Sequence, residues 1–205
     1  MNYNYDETLR FIFVIAGKGT LSKRLAEDND FTHISVGDLL RENFDEEPAI
    51  TWHVEKGELL PMQYLLPCLK TAFRDSPSGC PIIVDGFPRR ADQVRAFEKA
   101  FGAPHLVLFF QCPRDLAKKR VISRNEGREG DNAEVFDKRY SEYLELNSAI
   151  LDYYGSTRGN GKLVEVNTSG ETEVSYSKLL AALQARNEWP QLTGSPRSPR
   201  SPPSP

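Results

Sequence analysis

The stretch Phe11-Ile12-Phe13-Val14-Ile15-Ala16-Gly17-Lys18-Gly19-Thr20 decides the fold. Its first five residues are all aromatic or β-branched, and Leu21 and Leu25 follow at helical spacing. A continuous apolar run of this kind reads as a strand covered on both faces, as in a parallel sheet. Gly17-Lys18-Gly19-Thr20 then falls at a strand-to-helix turn. There the backbone N–H groups of the helix start face an anion, the helix dipole favours it, and Lys18 adds a positive charge. The tetrapeptide alone is a weak signal. The full phosphate-loop motif has a glycine five positions before the Gly-Lys pair, and here that position is Ile12, inside the strand.

Outward from this stretch, three more apolar runs read as buried strands: Ile82-Ile83-Val84, Leu106-Val107-Leu108-Phe109-Phe110 and Leu163-Val164-Glu165-Val166. Helical patterns lie between them. Met62, Leu65, Leu66, Leu69 and Phe73 share a face; so do Phe136, Tyr140, Tyr143, Leu144, Leu151 and Tyr154, and Leu179, Leu180 and Leu183. Pro67 interrupts the first of these and is expected to kink it. Strands alternating with helices predict an α/β fold, a parallel sheet flanked by helices and joined by right-handed crossovers. Ligands of such sheets bind at the carboxyl ends of the strands, which points to the residues just after Ile15, Val84 and Phe110. Residues 1–10 read as an N-terminal extension and 11–190 as one domain. Within it, residues 35–61 form a charged helical insertion and 125–132 a polar loop. Residues 191–205, rich in Ser, Pro and Arg, cannot bury apolar surface and are expected to be disordered.

Composition narrows the functions. Lys and Arg number 26 against 29 Asp and Glu, a net charge of −3, which gives no bulk attraction to nucleic acid or to an anionic membrane. Any phosphate must be recognised by local arginines. The three cysteines, Cys68, Cys80 and Cys112, match neither a disulfide framework nor a zinc pattern, so a reducing compartment is expected: the cytoplasm, with the nucleus also open. His33, His53 and His105 show no ligand spacing and read as structural or surface groups. Asp6 and Glu7 precede the first apolar run, unlike a signal peptide, and no apolar stretch reaches membrane-spanning length. The expected partners are small molecules, with no nucleic acid and no membrane, and the chain is expected to be a monomer.

Val84-Asp85-Gly86-Phe87-Pro88-Arg89-Arg90 is the stronger motif. Asp85, at the carboxyl end of a strand beside the first loop, is placed to hold Mg²⁺ through water. Gly86 and Pro88 shape a turn that presents Arg89, whose planar fork can grip a phosphate with two hydrogen bonds. The plainer alternative is an exposed turn with two solvated arginines.

With this segment the chain resembles the nucleoside monophosphate kinases of the adenylate kinase and UMP/CMP (uridylate) kinase family, short-lid type, over roughly Phe11 to Trp189. The matching stretches are Gly17-Lys18-Gly19-Thr20, Ser35-Val36-Gly37-Asp38-Leu39-Leu40-Arg41, Glu55-Lys56-Gly57-Glu58-Leu59-Leu60-Pro61, Asp85-Gly86-Phe87-Pro88-Arg89, Gly127-Arg128 with Asp131-Asn132, and Lys138-Arg139. The resemblance implies a P-loop NTPase-like sheet with a small monophosphate-binding insertion and a short lid. It implies ATP and Mg²⁺ as the donor pair, with Gly17, Lys18, Gly19 and Thr20 at the triphosphate. Arg41 and Arg89 would hold the monophosphate. Glu58, Leu59, Leu60, Gly86, Phe87 and Pro88 would line its site, and Gln93 would read the base. Arg120 would pack on the ATP base and Arg124 face ATP, with Gly170 making a backbone contact to the adenine. Arg128 and Arg139 would close over the transferring phosphoryl group, so that Lys18, Arg89, Arg124, Arg128 and Arg139 form the catalytic set. Such chemistry asks mainly for positioning and fixed positive charge in a dry pocket, because the transition state spreads charge over equatorial oxygens.

The chain departs from the family in one place above all. The family loop reads Gly-Gly-Pro-Gly-Ser-Gly-Lys-Gly-Thr, whereas here Ala16 directly precedes Gly17. About four residues, worth up to ~13 Å of extended chain, are missing from the phosphate cradle. Unwinding Val14 and Ile15 to lengthen it would expose apolar side chains at ~1.5–3 kcal/mol each. The expectation is therefore an impaired phosphotransferase. A binding protein that keeps the monophosphate pocket alone, or a written sequence that has lost twelve nucleotides, stays open beside it. Gly130 also replaces a lid aspartate. Val36 and Phe109-Phe110-Gln111-Cys112-Pro113 lean towards UMP or CMP, Gln93 towards AMP. A different small-molecule kinase fits poorly, because Asp85 to Arg89 together with Gln93 serves nucleotide acceptors.

Overall fold

A computed structural model describes residues 9–16, 19–42, 48–55, 58–123, 132–156, 159 and 161–194. Five parallel strands form one sheet in the order β2-β3-β1-β4-β5, with β1 Phe11–Ile15, β2 Thr32–Ser35, β3 Ile82–Asp85, β4 Leu106–Gln111 and β5 Leu163–Asn167. β1 lies at the centre and every residue of it is buried. Its alternation divides the core. Phe11, Phe13 and Ile15 face one side with Val84, Val107 and Phe109; Ile12 and Val14 face the other with Ile83, Leu108 and Val166. Both faces of each inner strand are covered, which is why these strands read as unbroken apolar runs.

On the first face pack α4 (Met62–Arg74), α5 (Ala91–Phe101) and α7 (Ala133–Gly155) through Leu65, Leu69, Phe73, Phe97 and Tyr154. Phe11, Phe13, Phe73, Phe87 and Phe97 meet in edge-on or tilted pairs at centroid distances of 4.7–5.9 Å, the geometry the ring quadrupole favours. On the second face lie α1 (Gly19–Asp28), α8 (Thr172–Gln184) and α9 (Trp189–Thr193). Here Arg24 lies over the Tyr176 ring, 4.1 Å from its centroid, and the Tyr176 hydroxyl donates to Asp28. The insertion supplies α2 (Val36–Glu42) and α3 (Pro48–Glu55), and α6 (Arg114–Ile122) follows β4. Pro67 sits within α4 without ending it.

Two expectations are corrected. The sheet has five strands where four were read. Thr32-His33-Ile34-Ser35 carries a single buried residue, Ile34, because β2 is an edge strand. The ordered chain also runs past residue 190 to Gly194. Leu192 is buried, and Arg10 donates to the carbonyls of Gln191 and Gly79, stapling the start of the domain to its end. The rest of the tail lies outside the described residues.

Candidate active site

Parallel pairing brings the carboxyl ends of β1, β2 and β3 together. Val14 and Ser35 are both in register with Asp85. β1 is not unwound. It keeps its pairing to Ile15, Ala16 turns at φ 51°, and α1 starts at Gly19. Gly17 and Lys18, which fill that short gap, lie outside the described residues, as do Arg124 and Arg128. Thr20 is exposed in the first turn of α1.

Asp85 is 7 % exposed and faces that helix start: a side-chain carbon on Gly19 would come within 3.4 Å of its Oδ2. The buried Ser22 hydroxyl donates to the same oxygen at 2.7 Å, and His33 Nε2 lies 3.2 Å from both Ser22 Oγ and Asp85 Oδ2. Neither Ser22 nor His33 was singled out as a site residue. Nothing in their local spacing marks them, since the partners are 63 and 52 residues away. The available signal was the parallel order itself, which sets the β2 residue beside β3. A hard carboxylate oxygen at a strand end fits Mg²⁺, which is usually held by one or two carboxylates, water and substrate phosphates. Among the described residues no group of three or more His, Cys, Asp or Glu forms an all-protein cage.

Beyond β3 the chain turns at Gly86, whose φ of 76° suits glycine, and Arg89 Nε donates to its carbonyl at 3.0 Å. Arg89 is exposed to solvent. Desolvation, first, and then the Arg139 charge hold its guanidinium below the ordinary arginine range; Asp85 opposes this, and Arg41 adds to it. Arg139 on α7, Arg41 on α2 and Asp85 at the end of β3 are thus the charged groups whose influence reaches Arg89. Arg41 pairs with Asp38 one turn back on α2. Asp137, on α7, is held well below the usual carboxylate range by the hydrogen bond from Lys118 and the charge of Arg114, both at 2.5 Å, which pins α7 to α6. Residues two apart on a helix point to nearly opposite sides, so this clamp leaves Arg139 facing away from α6.

Gln93 is buried; its Oε1 accepts from the Arg89 N–H at 2.8 Å and its Nε2 donates to the Leu60 carbonyl at 3.4 Å. It ties the arginine turn to the end of the insertion. Leu60 and Phe87 turn their side chains into the core, Pro88 is buried, Leu59 is half-buried, and Glu58 is exposed beside His53 at 3.4 Å. On the β4–β5 side, Arg120 donates to the carbonyls of Thr168 at 2.7 Å and Gly170 at 2.8 Å. An open hollow of about 430 Å³ lies between α1 and the β2 edge, lined by Lys23, Glu27, Phe31 and His33 among others.

Known proteins resemble this chain in sequence. The family model described as adenylate kinase matches residues 15–159. UMP-CMP kinase 2 of Oryza sativa subsp. japonica is 35% identical over 177 residues, 82% of this chain and 71% of that protein. UMP-CMP kinase 3 of Arabidopsis thaliana is 32% identical over 86% of this chain and 90% of its own length. Uridylate kinase of Saccharomyces cerevisiae is 31% identical over 84% and 90%. Among the described residues no helix is long and apolar enough to cross a membrane.

Proposed function

We propose a specific reaction for this chain, which belongs to the adenylate kinase family of nucleoside monophosphate kinases. It transfers the γ-phosphoryl group of Mg-ATP to UMP or CMP, giving two nucleoside diphosphates. The observation that carries this reading is the shared charge of Arg89, Arg139 and Arg41 beside Asp85. An anion of several charges relieves the repulsion among these guanidinium groups, and their forks match phosphate oxygens. A phosphate oxygen of the monophosphate attacks the γ-phosphorus while the bond to the β–γ bridging oxygen breaks, and ADP leaves with that electron pair. No general base is required, because the acceptor is already an anion. Arg89 and Arg41 orient the acceptor; Arg139 faces the charge that spreads over the equatorial oxygens. Asp85, steadied by Ser22 and His33, would hold Mg²⁺ through water. Held there, the ion would supply neutralisation of the charge on the donor phosphates. The pyrimidine acceptor rests on the relatives' names and on Phe109 to Pro113; Gln93 keeps AMP as the competitor. Free cysteines suit a reducing compartment such as the cytosol.

The short gap between Ile15 and Gly19 favours a second reading in which donor binding is impaired and turnover slow or lost, leaving a monophosphate-binding protein. A coupled assay of ADP formation with UMP, CMP and AMP at millimolar levels separates the possibilities. Turnover fastest with UMP or CMP supports the proposal, and fastest with AMP moves the acceptor to the purine. No turnover with any of them, together with calorimetric binding of UMP but not ATP, leaves the binding protein.

A further inference from the structure

We infer that Asp137 is a positioning residue for the transfer step, orienting Arg139 through a two-cation clamp from α6. The inference rests on the proposed reaction for its chemistry. α7 is anchored unevenly along its length. Ile150 and Tyr154 seat its second half in the core, and the Tyr153 and Tyr154 hydroxyls both donate to Glu98 on α5, at 2.9 and 3.1 Å. From Asp137 to Leu146 no residue is buried. Arg139 stands in that stretch, and of the residues before it on the helix Phe136 alone is buried. Apolar packing therefore gives these turns one anchor, and the rest of their orientation comes from polar contacts.

Arg114 Nη2 donates to Asp137 Oδ1 and Lys118 Nζ to Asp137 Oδ2, each at 2.5 Å, so both carboxylate oxygens are taken by cations one turn apart on α6. The Arg114 guanidinium also lies 5.8 Å from the centroid of the Tyr140 ring. Asp137 and Tyr140 are three apart and share a face, which these contacts turn toward α6. Arg139 then lies about 200° round the helix from Asp137, and its charge reaches Arg89. α6 is itself tied to the sheet, because Arg120 donates to the carbonyls of Thr168 and Gly170 just past β5. The path from the sheet to Arg139 thus runs through α6 and Asp137. Without the carboxylate, Arg114 and Lys118 would be left as like charges with nothing to pair them to α7. A misplacement of about 1 Å at a charge-stabilising group can cost about 100-fold in rate. All three clamp residues keep contact with water, and exposed ion pairs add little to stability. The clamp is felt in the rate, not in the fold.

The test is Asp137→Asn, which keeps the shape of the side chain and removes its charge. Its kcat with UMP should fall about tenfold or more, while KM for UMP stays within about twofold, because Arg41 and Arg89 hold the acceptor. The thermal midpoint should stay within about 3 °C. Asp137→Glu, which restores the charge, should recover most of the rate, and Asp137→Asn should cost nothing further in an Arg139→Ala background. Calorimetric binding of a dinucleotide in which adenosine and uridine are joined by five phosphates gives a readout that needs no turnover. Asp137→Asn should weaken it about tenfold, and again by nothing further beside Arg139→Ala. Should Asp137→Asn fail to fold, Arg114→Gln with Lys118→Gln breaks the clamp from α6 and carries the same expectation. An unchanged kcat, a full additional loss on top of Arg139→Ala, or a rate that falls only as folded protein is lost overturns the inference. Dinucleotide binding without turnover would remove the proposed reaction and leave the binding ratios to decide the role of Asp137. Neither binding nor turnover by the unaltered protein would overturn both.

Discussion

Arg139, early in α7, and Arg89, just beyond β3, repel one another: the Arg139 charge is the largest electrostatic influence holding the Arg89 guanidinium below its ordinary range. The two side chains are 50 positions apart in sequence and belong to elements that meet only because α7 packs on the same sheet face as α5. A like-charge pair costs the unliganded fold something, and anion binding recovers it.

Removing Arg139 should therefore act oppositely on stability and on function. Arg139→Ala is expected to raise the thermal midpoint of the nucleotide-free protein slightly while lowering kcat with UMP by about 100-fold or more. Differential scanning fluorimetry and the coupled assay check the two halves. A fall in both would mean that Arg139 is structural.

Gly86→Ala is expected to cost about 1–2 kcal/mol, because the turn holds φ at 76° and a side-chain carbon would lie 3.3 Å from an Arg89 terminal nitrogen. Urea unfolding measures the loss. The displaced guanidinium should also raise KM for UMP, and an unchanged KM would show that the turn does not set Arg89.

The five-residue apolar run of β1 and the inner strands were legible because burial on both faces removes every polar position. β2 was not, since an edge strand needs only Ile34 inside and reads as Thr-His-Ile-Ser. The same holds for the site. Arg41, Arg89 and Arg139 sit in recognisable local motifs, whereas Ser22 and His33 acquire their meaning only from the pairing that lays Ser35 beside Asp85. α9 was hidden because Trp189 and Leu192 are short apolar islands next to a Ser-Pro-Arg tail.

His105 gives a pH signature. Burial, then the charges of Lys162 and Arg10, hold its imidazole below the usual range, with Glu188 opposing. The folded chain then binds fewer protons than the unfolded one in mildly acidic solution. This contribution to stability is complete above the ordinary histidine pKa of about 6.5 and is lost as pH falls. The urea midpoint should drop between about pH 7 and pH 5, and His105→Gln should flatten that slope. An identical slope in the variant would assign it to other groups.

The most direct measurement is UMP-dependent ADP formation by this chain and by a variant with Gly-Pro-Gly-Ser inserted between Ala16 and Gly17. The expected result is slow turnover that Arg89→Ala abolishes and that the insertion raises by about two orders of magnitude or more, because the insertion restores the length of the phosphate cradle. No turnover with UMP, CMP or AMP in either protein would contradict the account.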